Sequence, residues 1–133
     1  MLGCDDVKKD SASNIIVDKS FDFAVKIVHL ARGLKFEKEF EFASQVLRSG
    51  TSIGANIAEA QKAQSKKDFL AKMYIASKET NETIYWLKLL HATKIIPDNI
   101  FEGLNQDIYE VERILISIIK TTEEKLKSEK AKP

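Results

Sequence analysis

Phe69, Met73, Ala76, Thr80, Thr83, Leu87 and Leu90 follow one another at steps of 4, 3, 4, 3, 4 and 3 residues. A strand alternates its side chains and would scatter these positions over both faces, whereas an α-helix keeps them on one side. The spacing therefore predicts a helix with a bundle seam, thin at its centre where Ala76, Thr80 and Thr83 stand. Ser65-Lys66-Lys67-Asp68 starts it as a capping box with Asp in place of the usual Glu: the hydroxyl takes one free amide of the first turn, and the carboxylate reaches back to another. At about 29 residues the helix would be on the order of 40 Å long.

Three further helices follow from the same periodicity. Phe21, Ala24, Val28 and Ala31, flanked by Val25 and Leu34, predict a first helix over about 19–35, capped by Asp18 or Ser20. A second is expected from about Glu39 to Ala63, with Phe42, Ala43, Val46, Leu47, Gly50, Ile53, Gly54, Ile57 and Ala58 on its apolar side. Pro97 suits the first turn of a fourth. Its seam would be Ile100, Leu104, Ile108, Val111, Leu115, Ile118 and Thr122, ending near Lys127 and absorbing a cost of about 1 kcal/mol at Gly103. With 133 residues, 44% of them hydrophobic, the chain suits one core, and its 5 Gly and 2 Pro are too few for a many-stranded sandwich or barrel. Short connections make neighbouring helices antiparallel, so the expected class is all-α: an up-down-up-down four-helix bundle over 18–127. Residues 1–17, charged and aperiodic, are read as a flexible arm, and 128–133 as a frayed charged tail.

Chemistry is sparse. Cys4 is the single cysteine, which leaves no internal disulfide and no cysteine-rich zinc site. The two histidines, His29 and His91, sit on different helices, and the positions three residues before them, 26 and 88, are Lys. The Glu-x-x-His pairs of a di-iron bundle are therefore missing. Arg32, Arg48 and Arg113 have no His within seven residues downstream, which disfavours helical ribonucleases built on an Arg and a nearby His. No phosphate loop or His-Glu-x-x-His occurs. No catalytic residue, metal, cofactor or small-molecule substrate is expected. No run of 18 apolar residues and no secretory start occurs, so a cytoplasmic chain without a membrane segment is expected.

Two stripes share the second helix. Gly50 and Gly54, beside Ala43, Ala55 and Ala58, form a small-residue strip that lets another backbone approach, in another subunit or in the same core. Arg48, Ser52, Asn56 and Glu59 form a polar stripe alongside, either a solvated face or a buried one whose charges need partners. Residues 61–78 carry Lys62, Lys66, Lys67, Lys72 and Lys78 against Asp68, a balance of +4, while Asp98, Glu102, Asp107, Glu110 and Glu112 give −5 over 98–112. The net charge is +1, so nucleic acid would have to be met by a local patch of Lys62, Lys66, Lys67 and Lys72, with Arg48 as an addition. Only 3 of the 21 basic residues are Arg, the side chain that grips phosphate bidentately. Tyr74, Tyr85 and Trp86, with Leu70 and Ile84, lie outside the third helix's strict seam and give it a second apolar side that needs a cover.

Residues 48–60, RSGTSIGANIAEA, and the run SKKDFLAKMYIASKETNETIYWL from Ser65 resemble the four-helix-bundle family encoded in intervening sequences of bacterial 23S ribosomal RNA genes. Arg48, Ser52, Ile53, Asn56, Ile57, Ala58 and Glu59 match its Arg-x-x-x-Ser-Ile-Pro-x-Asn-Ile-Ala-Glu-Gly run. Ser65, Asp68 and Phe69 match the start of its third helix, and Tyr74, Ile75, Ala76 and Glu82 its Tyr-Ile-Ala run with a later Glu. Leu47 replaces an Arg the family often has, Gly54 a Pro and Ala60 a Gly. The first change weakens the nucleic-acid case and the second removes an imposed kink. The resemblance implies a homopentamer of antiparallel bundles without known catalysis. A related bundle, the accessory protein of diversity-generating retroelements, presents a basic pentameric surface to a reverse transcriptase and nucleic acid, a role the near-neutral charge here fits less well. The leading expectation is thus a non-enzymatic homo-oligomeric binding or scaffolding bundle. The alternative is an RNA- or DNA-binding accessory protein, and a hydrolase with unrecognised carboxylates ranks last.

Overall fold

The computed structural model describes residues 11–131, which form four helices: α1 (Ser11–Phe36), α2 (Phe40–Ala60), α3 (Lys66–Ala92) and α4 (Asp98–Ala131). Helices consecutive in the chain pack together and α1 also meets α4, while neither diagonal pair touches. Short turns between them close an antiparallel, four-cornered bundle.

The α3 seam is as its spacing demands: Met73, Ala76, Thr80, Thr83, Leu87 and Leu90 are all buried, and Phe69 packs against the core from its edge. Ser65 caps the helix by accepting from the Asp68 amide at 3.0 Å, and the Asp68 carboxylate accepts from the Gln64 amide at 3.3 Å. Two orphan donors are thereby satisfied. On α4, Pro97 immediately precedes the first helical residue, and its carbonyl accepts from the Phe101 amide at 3.0 Å.

The first helix departs from expectation. It starts at Ser11, so residues 11–17 belong to α1 and not to an arm; residues 1–10 lie outside the described residues. Asp18 and Ser20 are therefore interior residues and cap nothing, and the buried Ser20 hydroxyl donates to the Val17 carbonyl at 3.1 Å. The core face is Ile16, Ser20, Phe23, Ile27, Ala31 and Leu34, whereas Phe21 is 66% exposed and Val25 41%. Taking in Ile16 as a helical residue turns the best apolar stripe towards Phe23 and Ile27, and Ala24 and Val28 become its flank. At the other terminus α4 continues through Ala131, so 128–131 are helical, and Glu129 pairs with Lys66. Residues 132–133 lie outside the described residues. Ile100, expected in the α4 seam, is 42% exposed, and Ile119 is buried instead, with Ile118 and Thr122 only partly covered.

Two turns rest on a left-handed residue that is not glycine. Lys38 (φ 66°) ends α1, with Glu39 N–H donating to the Leu34 carbonyl at 2.8 Å and Lys38 N–H to Lys35 at 2.9 Å. Lys94 (φ 63°) ends α3, with Ile95 N–H donating to Leu90 at 2.9 Å and Lys94 N–H to His91 at 3.0 Å. Both patterns are Schellman-type ends, where glycine avoids the Cβ penalty. Lys38→Gly and Lys94→Gly are each expected to stabilise the fold by about 0.5–1 kcal/mol, read as a higher Tm.

Candidate functional site

Gly50 is buried. A Cβ built on it would stand 2.8 Å from Ile27 Cγ2, and one on Gly54 3.3 Å from the Ser20 carbonyl oxygen. The small-residue strip is thus occupied by α1 of the same chain, and the close approach that Gly50-x3-Gly54 permits is an approach of α1 to α2.

The polar stripe divides. Arg48 leaves α2 and bridges to α3: its guanidinium donates to Glu79 at 3.3 Å, to Glu82, and along its own helix to Gln45 at 3.1 Å. Ser52 and Asn56 stay on α2, donating to the carbonyls of Arg48 at 2.6 Å and Ser52 at 2.8 Å. Glu59 is exposed, with no ion pair among the described residues. Residues 50–54 also spell Gly-x-Ser-x-Gly, the nucleophile-elbow pattern of α/β-hydrolases. That elbow is a sharp strand-to-helix turn, whereas this segment lies inside a regular helix, and Ser52 is spent on a backbone carbonyl.

Glu82, whose charge role the sequence pattern does not reveal, ties Arg48 to Trp86. It accepts from Trp86 Nε1 at 2.9 Å and from Arg48, and Trp86 stacks edge-on against Phe42 of α2 and Tyr85. The indole N–H first, and the Arg48 guanidinium after it, hold the Glu82 carboxyl below its ordinary value against the opposing push of desolvation. A carboxylate depressed in the folded state adds stability above its unfolded pKa and loses it as pH falls through the folded value. The α2–α3 contact is therefore expected to weaken in acid, below about pH 4. Trp86 fluorescence followed through an acid titration should show this step, and Glu82→Gln should remove it.

The lysines gather at the α2–α3 turn, but not all are available. Lys66 pairs with Glu129 and the half-buried Lys72 with Asp68 at 3.3 Å. Lys62 and Lys67 are exposed, with no ion pair among the described residues. The acidic run is similarly engaged: Asp107 holds Lys26 at 2.6 Å, Glu110 holds Lys19 at 3.2 Å, and Asp98 holds His91 at 2.8 Å. His91 also stacks flat on Phe101, with ring centroids 4.0 Å apart. His29 is exposed on α1. Among the described residues no group of three or more His, Cys, Asp or Glu is placed to hold a metal ion, and no helix is long and apolar enough to cross a membrane.

The remaining feature is apolar. Phe21 and Val25 stand one turn apart on the outside of α1, and Tyr74 (44% exposed), Ile75 and Tyr85 (59%) on the outside of α3. The two helices are diagonal corners of the bundle, so the two patches stand on helices that do not touch. Off-seam aromatics signal the α3 patch in the sequence, whereas the spacing of Phe21 with Ala24, Val28 and Ala31 masks the α1 patch.

Comparison with known proteins places these features in a family context. The model described as 23S rRNA-intervening sequence protein matches residues 12–117. No curated protein matches. Among solved structures, a protein with unknown function from the S23 ribosomal protein family of Bacteroides thetaiotaomicron is similar at 52% identity and a TM-score of 0.80. The match covers 82% of this chain and 98% of that one.

Proposed function

Since the chain belongs to the 23S rRNA-intervening sequence protein family, we propose that it acts as a non-enzymatic homo-oligomeric scaffold, each bundle binding its neighbour head to tail. The observation that carries this reading is the pair of exposed apolar patches on diagonal helices. A ring is built from heterologous contacts, in which one face of each copy meets a different face of the next, and α1 and α3 supply two such faces. Five copies is the number the family resemblance implies. On this reading the contact is made by α1 and α3 and not by Gly50 and Gly54, which have Ile27 and Ser20 of the same chain against them. Light scattering at micromolar concentration should return a single species at five times the 15.0 kDa chain mass, and Phe21→Glu, a change at an exposed site, should reduce it. A wild-type mass of 15.0 kDa would end the proposal.

A second reading is favoured by Lys62 and Lys67, which stand exposed at one end of the bundle with no ion pair among the described residues. A ring would repeat them around one rim and so raise the local potential without altering the charge per chain. On this reading the rim binds RNA or DNA, with Lys66, Lys72 and Arg48 contributing only by exchanging their carboxylate partners for phosphate. Binding to structured RNA should then weaken steeply with salt, and more weakly after Lys62→Ala with Lys67→Ala. Affinity that is absent or indifferent to salt removes it.

A further inference from the structure

Three of the bundle's four sides are closed by packing or by chain. α1 and α2 touch through Gly50 and Gly54, α2 and α3 through the buried Ser49–Thr83 hydrogen bond and the Arg48 bridge, and α3 and α4 through a short turn with Lys66–Glu129 at the far end. The fourth side differs. α1 and α4 are joined by no turn and approach each other least of the four neighbouring pairs. Between them runs a groove of about 510 Å³ whose walls include Leu30, Leu34, Ile96 and Leu104. Gly33 and Gly103 stand on its two walls, and among the described residues a Cβ on either would meet nothing within 4 Å. Next to the groove two ion pairs cross the seam over the buried Phe23 and Val111: Lys26 to Asp107 at 2.6 Å and Lys19 to Glu110 at 3.2 Å.

From this geometry we infer that the bundle has a built-in opening along the α1–α4 seam, in which α1 swings on α2 and the two ion pairs act as its latches. A seam whose two helices share no turn and pack least extensively is where sub-global opening is least costly. Here the motion bares the groove walls and the core face of α1 while α2 and α3 stay locked. Exposed ion pairs are screened by salt, so ionic strength shifts the device towards the open form. Gly33 and Gly103 contribute by leaving the groove unfilled: a methyl group at either would reach no neighbour among the described residues, and only a longer side chain would add contacts across the seam.

Native-state hydrogen exchange on the full chain, in whatever assembly it forms, reads this directly. Amides of residues 27–34 and 104–108 are expected to exchange as one unit, about tenfold or more faster than those of 46–57 and 73–87. Lys26→Gln combined with Asp107→Asn, both at partly exposed sites, should speed the seam by a further two- to fivefold or so and leave α2 and α3 unchanged. Raised salt should act on the wild type in the same direction and not on the variant's lost latch. Circular dichroism must show the same helix content in both, and if it does not, salt dependence of the wild type alone decides. Equal protection in all four helices would overturn the inference. So would a smooth gradient of exchange falling from residue 14 towards 34, because that is fraying from the chain end and not opening at the seam.

Discussion

Gly50→Leu is expected to cost about 3 kcal/mol of folding stability, a fall in Tm of about 10 °C for a chain of this size. The reason is where the added atoms go. A Cβ at Gly50 would already stand 2.8 and 2.9 Å from the two γ-carbons of Ile27 and 3.3 Å from its Cβ. Ile27 is fully buried and branched next to its backbone, so it cannot swing aside as the tip of a lysine would. Relief requires α1 to move off α2. Trimming the obstacle, as in Gly50→Leu with Ile27→Ala, should recover part of the loss and show as a coupling energy in a double-mutant cycle. The two groove glycines supply the contrast. Gly33 and Gly103 are helical, lack positive φ and have open space beside them, so changing each to Ala is expected to stabilise by about 0.5–1 kcal/mol through helix propensity alone. Thermal melts of the three variants therefore separate a glycine needed for close packing from two that are not.

The second large effect lies at the thin centre of the α3 seam. Thr83 and Ser49 are both fully buried, and their hydroxyls share a hydrogen bond of 2.9 Å across the α2–α3 interface. Thr83→Val keeps the shape and strands the Ser49 hydroxyl away from water, which is expected to cost about 1–3 kcal/mol. Ser49→Ala should cost less, because the Thr83 hydroxyl retains the Glu79 carbonyl at 2.8 Å. Removing both hydroxyls together should cost less than Thr83→Val alone, since no unpaired polar group is left inside. Chemical denaturation of the two single variants and the double variant measures this ordering; simple additivity would mean that the hydrogen bond carries no energy of its own.

Much of this architecture could be read from residue spacing, for a physical reason. On α3 the seam from Met73 to Leu90 and the Ser65 cap depend only on helical geometry and local hydrogen bonds, both written in consecutive residues. Where long-range packing chose between adjacent stripes, spacing was not enough. Phe21 and Phe23 each fit a helical face over 19–35, and the second is selected by the stripe that Ile16 extends and by the packing of Ser20 and Ile27 on Gly54 and Gly50. The turns were opaque for another reason: Lys38 and Lys94 occupy left-handed positions that glycine normally marks. For the candidate site, the stripe Arg48-Ser52-Asn56-Glu59 is visible as a spacing, but its division into an α3 bridge, two backbone-bonded side chains and one acid with no ion pair among the described residues is not. That division is set by Glu79 and Glu82 on the facing helix. Run charge alone overstates the free charge in the same way, because Glu129, Lys19 and Lys26 neutralise several members from elsewhere in the fold.

The central claim, that copies of this chain cover the apolar patches of α1 and α3, is tested most directly by hydroxyl-radical footprinting of the wild-type protein at micromolar concentration. Phe21, Tyr74 and Tyr85 are 66%, 44% and 59% exposed in the single chain, and Phe36, at the α1–α2 turn, is 85% exposed. Head-to-tail assembly predicts that Phe21, Tyr74 and Tyr85 are modified far more slowly than Phe36, and that dilution into the monomeric range restores them. Modification of all four in proportion to these exposures, unchanged by dilution, would contradict it.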